Sequence, residues 1–205
     1  APQEARVRNK EMDMDPLKSL EEMHQSGLAF FAERGLRFRE ALDRMAECLR
    51  SGHKILIFGN GGSASQAQHF ASELVNRFQR ERSALAALAL TTDTSALTSI
   101  ANDAAYDQVF SRQVEALGSP EDVALGLSTS GDSPNILCAL EKAREIGLTC
   151  IALTGRGGGR TAGLVDCLLD VPSDSTPRIQ EIHLLLLHLM AGDLENRLFR
   201  EDSRR

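Results

Sequence analysis

The sequence predicts an α/β fold: a five-stranded, doubly wound parallel sheet with helices added at the N-terminus and one long helix at the C-terminus. Three observations lead there. Short apolar runs alternate along the chain with stretches of helical periodicity, the pattern of a sheet buried on both faces. The loops after two of those runs are dense in glycine or hydroxyl residues and lead directly into helices. The chain has 205 residues, 42% hydrophobic and 25% charged, which suits one core of ordinary composition.

Residues 1–16 are charged and have no apolar stretch, so they are expected to form a flexible lead-in rather than a signal peptide. Residues 17–205 then read as one domain whose first part, to about residue 52, is helical. The helical pattern is carried by Leu17, Leu20, Met23, Leu28 and Phe31, then Leu42, Met45 and Leu49, with Gly35 expected to break it into two helices. Five strands follow, at Ile55–Gly59, Leu85–Leu90, Val123–Leu127, Thr149–Leu153 and Cys167–Val171. Helical stretches fall between them at 64–80, at 95–118 (interrupted), at 134–146 and, briefly, near 160–164. The final helix is expected over 177–199, with Thr176 as N-cap and Pro177 in its first position. Its Leu184-Leu185-Leu186-Leu187 run leaves little polar circumference, so it belongs in the core or between subunits.

Composition excludes several functions. The chain carries 23 Lys+Arg against 29 Asp+Glu, a net charge of −6, which disfavours nucleic acid as a partner. Aromatics are 4% with no Trp, too few for a base-stacking platform. No apolar run approaches the ~18 residues of a membrane helix. Cys48, Cys138, Cys150 and Cys167 are widely spaced and form no C-x-x-C pair, so they read as reduced, buried thiols of a cytoplasmic protein.

Ligands of doubly wound sheets bind at the carboxyl ends of the strands. After the first strand stands Gly59-Asn60-Gly61-Gly62-Ser63-Ala64-Ser65, whose glycines permit close backbone approach and whose helix start offers free N–H groups to an anion. The same residues fit the G-x-G-x-x-A dinucleotide pattern, but the acidic residue that pattern expects about 20 positions on is missing there; Asp93 lies further along, among hydroxyls. After the third strand stands Ser128-Thr129-Ser130-Gly131-Asp132-Ser133-Pro134. A cap with a following proline accounts for Ser133 alone; four hydroxyls at a helix start suit a phosphate monoester. Asp132 within that loop must point away from such an anion. Thr154-Gly155-Arg156-Gly157-Gly158-Gly159 reads as a flexible connector. His69 and Glu73, four apart on a helix, share a face; the spacing alone suits either a surface ion pair or a shared metal or proton.

The strand–GNGGSA–helix and strand–STSG-x-S–helix units resemble the sugar isomerase (SIS) domain family over about residues 54–199. Within it, Gln68–Leu74, Thr91–Asp93, Ala101–Asp103, Phe110–Gln113 and Arg178–His183 are similar to the phosphoheptose isomerases. The resemblance implies a flavodoxin-like strand order and conversion of sedoheptulose 7-phosphate to D-glycero-D-manno-heptose 7-phosphate through an enediol. It implies a zinc ion on His69, Glu73, Gln180 and His188, with Glu73 as base and His188 as its proton-transfer partner. Asn60, Gly61, Gly62, Ser63, Glu73, Asn102, Asp103 and Gln180 would contact the sugar, and Ser128, Thr129, Ser130 and Ser133 would hold the phosphate. Gln180 and His188 lie ~12 Å apart along an ideal helix and ~80° around it, so either the helix is distorted or one ligand arrives from another subunit; a site at a subunit interface is favoured by the apolar helix, and the resemblance implies a homotetramer. His183 reads as structural, His24 and His53 as surface residues. A bacterial SIS protein that binds the replication initiator DnaA is similar too, through Asn76-Arg77-Phe78 and Ala101–Asp103. That alternative is a non-catalytic tetramer, and the presence of Glu73 and His188 speaks for the enzyme. Another phosphosugar isomerase or a phosphosugar sensor is a third reading, since the heptose rests on the resemblance alone.

Overall fold

Asp15 accepts the backbone N–H groups of Leu17 and Lys18 on its carboxylate and starts helix α1 (Pro16–Arg50), with Pro16 in the first turn. The structure, a computed structural model, describes residues 15–199. The expected lead-in therefore falls almost wholly outside the described residues, and Pro16 belongs to the helix instead. The expected break at Gly35 is also corrected: α1 runs through it for 35 residues. One glycine costs about 1 kcal/mol in a helix, and the helix is anchored on both sides of it. Phe30 and Phe38 are buried, and Arg34 makes a two-pronged ion pair with Asp170 at 2.5 and 3.1 Å.

The sheet holds β1 (Ile55–Gly59), β2 (Ala87–Ala89), β3 (Val123–Ser128), β4 (Thr149–Thr154) and β5 (Cys167–Asp170), all parallel, in the order β2-β1-β3-β4-β5. This is the flavodoxin-like order expected. The edge strand β2 is three residues long, against the six of its apolar run, because only Ala87–Ala89 pair with β1. Between the strands lie α2 (Gly62–Val75), α3 (Thr94–Asp103), α4 (Ser111–Leu117), α5 (Pro134–Ile146) and finally α6 (Thr176–Leu198), with 3₁₀ turns at Tyr106–Gln108 and Gly159–Gly163. α6 opens at Thr176 with Ser175 in the N-cap position, one residue before the expected cap.

Alternating side chains of each strand point to opposite faces. Ile55, Ile57, Leu125, Leu127, Ile151 and Leu153 pack with α1, α2 and α6; Leu56, Phe58, Ala124 and Cys150 pack with α4 and α5. Strand order reverses about β1, so the loops after β1 and β3 open side by side at the switch point, where Gly59 pairs with Leu127. Cys48, Cys150 and Cys167 are buried free thiols; Cys138 is half-buried. Burial pushes Cys48 and Cys150 up to about 12 and Cys167 up to about 11. Among the described residues no helix is long and apolar enough to cross a membrane.

Candidate active site

The loop after β1 is shaped by contacts only glycine allows. A Cβ on Gly59 would come within 2.9 Å of the Ser63 Cβ, and Gly61 takes φ +55° at the start of α2. Asn60 is locked by a reciprocal amide pair with the buried Asn135, both bonds 2.8 Å, and its Oδ1 also accepts from the Tyr106 hydroxyl at 3.2 Å. Ser63 is buried, and Gly62 lies against the side-chain amide of Gln180. Asp93, the misplaced acid of the dinucleotide pattern, accepts the Ala96 N–H and caps α3.

The loop after β3 turns its hydroxyls on one another. Ser128 Oγ lies 3.2 Å from Ser133 Oγ and 3.5 Å from Ser130 Oγ, and accepts the Gly131 N–H at 3.1 Å. Ser133 holds the N-cap position of α5 without a side-chain cap bond, so its hydroxyl faces the cluster. Asp132 points elsewhere: its carboxylate accepts the Arg160 N–H at 2.9 Å. The supposed connector after β4 is a buttress. Gly155 donates to the Thr129 carbonyl at 3.0 Å, and a Cβ on Gly131 would overlap the Gly158 carbonyl oxygen. Below it, His183 is fully buried with Nε2 3.0 Å from the Thr154 carbonyl oxygen; burial lowers its pKa to about 4, against the opposing pull of that hydrogen bond.

The second cluster lies two turns along α2. His69 Nε2 is 2.9 Å from His188 Nε2 of α6 and 3.4 Å from Glu73 Oε1. All three residues are half-buried, and their ligand atoms lie within 4.8 Å of one another. Two imidazoles and a carboxylate are a donor set suited to a zinc-type ion. Gln180 is not drawn into this group; it remains against Gly62 at the other end of α2, while its backbone carbonyl accepts from Gln66 Nε2 at 2.7 Å. Asn102 and Asp103 hydrogen-bond to each other at the exposed end of α3 and, among the described residues, to neither strand-end loop.

A family model described as the SIS domain matches residues 20–155. The phosphoheptose isomerase of Desulfovibrio desulfuricans is 59% identical over 170 residues, 83% of this chain and 81% of that protein. The chain belongs to the phosphoheptose isomerases. Solved structures agree. The phosphoheptose isomerase from Neisseria gonorrhoeae matches with a TM-score of 0.83 at 44% identity, covering 88% of this chain and 96% of that one. The one from Francisella tularensis matches at 0.80 and 38%, covering 89% and 100%.

In this phosphoheptose isomerase the structure also names residues that periodicity did not. The helical pattern of 64–80 continues past the real end of α2 at Val75, because the chain after Asn76 turns to meet α6. There the buried carboxylate of Glu195 accepts the N–H groups of Phe78, Gln79 and Arg80 at 2.8, 3.0 and 3.1 Å and the Arg82 guanidinium at 3.1 Å. Burial works to raise the Glu195 pKa, and these donors outweigh it, holding it below the usual carboxylate range. The signal was present: Glu195 stands seven residues after His188, on the inward stripe of a Leu-rich helix, where a carboxylate requires partners.

Proposed function

We propose that the protein interconverts sedoheptulose 7-phosphate and D-glycero-D-manno-heptose 7-phosphate, supplying heptose for bacterial surface glycans such as lipopolysaccharide. The observation that carries this reading is the convergence of Glu73, His69 and His188 from two helices, one of which, α2, starts at the same switch point as the hydroxyl-lined start of α5. Moving a proton between C1 and C2 requires a base, an acid and stabilisation of the oxygen charge of an enediolate. Glu73 takes the proton from one carbon and His188 handles the proton on the other side. Ser128, Thr129, Ser130 and Ser133 hold the phosphate with the first amides of α5, so that an anion is bound without a basic patch. Asn60, Gly61, Gly62 and Ser63, with Asn102, Asp103 and Gln180, contact the sugar hydroxyls.

The donor set of His69, Glu73 and His188 fits a zinc ion, and the family resemblance would add Gln180 as a fourth ligand, which within one protomer lies apart from them against Gly62. When bound, such an ion would polarise substrate oxygens. A carboxylate held on a metal would be a weaker base than a free one, so Glu73 would serve as ligand, as base, or as each in turn.

A homotetramer with sites at subunit interfaces is supported by an apolar groove of about 830 Å³ between α1 and α6. Leu17, Leu20, Leu28, Phe31 and Leu185 line it, each at least 38% exposed in one protomer, and His188 borders it. In such an assembly Gln180 would be free to serve the cluster of another protomer. A cytoplasmic setting is supported by the free, buried thiols.

The test is incubation of purified protein with sedoheptulose 7-phosphate, with and without a chelator, following the aldose by NMR. Formation of the aldose that the chelator suppresses supports the reading. Absence of turnover in metal-replete protein would overturn it in favour of a non-catalytic SIS module.

A further inference from the structure

One buried ion pair ties together the two helices that carry the reacting groups. Arg82 and Glu195 side chains are each 1% exposed and meet at 3.1 Å. The rest of the Arg82 guanidinium caps the end of α2: Nη2 donates to the Glu73 carbonyl and Nη1 to that of Leu74, both at 2.7 Å. Arg82 thus supplies the carbonyls of a helix end that has no basic residue of its own in the last turn. Glu195 stands two helical turns from His188 on the same face of α6. Its three backbone bonds hold residues 78–80 across that face, and Phe78 is thereby laid flat against the His188 imidazole, with ring centroids 5.7 Å apart and planes 16° from parallel. Gly192 flanks the same ring, where a Cβ would make ordinary van der Waals contact at 3.4 Å. A turn serving only to end α2 would not need to bring an aromatic ring face to face with that imidazole.

We propose that Phe78, clamped by the Arg82–Glu195 pair, is a positioning residue that fixes the plane of the His188 ring for the isomerisation. It touches neither substrate nor metal ligand atoms by this account; it acts through His188. The idea rests on the role given to His188 above. Stacking restricts rotation of the ring about its Cβ–Cγ bond and leaves its edge, with Nε2, directed at His69.

The test uses Phe78→Leu, which keeps an apolar side chain, and Phe78→Tyr, which keeps the ring. Turnover of sedoheptulose 7-phosphate, thermal melting and the ring resonances of ¹³C-labelled His188 are measured on the assembled protein. Phe78→Leu is expected to melt cooperatively, to keep KM within about twofold and to lose kcat by about 10- to 100-fold. Its His188 ring protons move downfield as they lose the shielding of the stacked ring. Phe78→Tyr restores both kcat and the resonance position. Unchanged kcat in Phe78→Leu, an unmoved His188 resonance, or equal loss in both variants would overturn the proposal. Failure of the unsubstituted protein to turn over would instead overturn the reaction assigned above, and the resonance alone would then decide whether Phe78 sets the ring.

Discussion

His69 and His188 face each other Nε2 to Nε2 at 2.9 Å, although 119 residues separate them in the chain. A hydrogen bond there needs one nitrogen to donate and the other to accept, and the same two nitrogens could instead turn their lone pairs on a cation. Glu73, 3.4 Å from the same His69 nitrogen, completes a group that can exchange protons or hold a metal.

Replacing either proton-handling residue tests the assignment directly. Glu73→Gln and His188→Gln are expected to lower kcat by about 10²- to 10⁴-fold. Both side chains are half-buried and neither spans the core, so circular dichroism melts should stay cooperative. Full activity in either variant would remove that residue from the mechanism.

Metal binding should depend on the same cluster. Zinc content measured by mass spectrometry on His69→Ala is expected to fall to background, while the unsubstituted protein retains about one ion per chain. Equal content in both would exclude His69 as a ligand.

Gly131 is held at φ +70° with its missing Cβ position occupied by the Gly158 carbonyl oxygen. Gly131→Ala must open the buttress of the loop after β3. It is expected to cost on the order of 2–4 kcal/mol and to raise KM. Gly52 has φ +84° with open space around it, so Gly52→Ala should cost only about 1 kcal/mol and leave KM unchanged. Denaturation midpoints and KM of the two variants provide the comparison.

His183 gives the pH dependence a definite sign. Unfolded, it binds a proton as pH falls through 6.5; folded, burial delays protonation to about pH 4. The unfolded state therefore binds more protons between those values, and stability is lost as pH falls through that window. The loss approaches about 3 kcal/mol by pH 4. Urea midpoints between pH 7 and pH 4 should decline in the unsubstituted protein and decline less in His183→Gln. Equal slopes would show that His183 does not supply the effect.

The groove between α1 and α6 predicts the response of assembly to charge. Leu185 is 42% exposed and lines it. Leu185→Asp would desolvate a carboxylate in any interface formed there, so light scattering should show a smaller species. An unchanged mass would place the interface elsewhere.

Much of this was legible because it is local. The apolar runs at Ile55–Gly59 and Val123–Leu127 form strands where periodicity placed them, and Pro134 opens α5 as its position predicts. The breaks were less legible. Gly35 carries a local penalty that Phe30, Phe38 and the Arg34–Asp170 pair override from outside the segment. The helical pattern past Val75 is ended by Glu195, 120 residues away, taking the amides of Phe78, Gln79 and Arg80.

The sequence by itself determined the parallel sheet, the two loops at its switch point, the hydroxyl cluster and the shared face of His69 and Glu73. Each of these depends on residues within a few positions of one another, whose spacing fixes their geometry. Only the tertiary structure brought His188 to His69, left Gln180 against Gly62, turned Asp132 onto Arg160 and stacked Phe78 on His188. Those relationships depend on how α2, α6 and the loops pack over the sheet, where burial and long-range hydrogen bonds outweigh local preference.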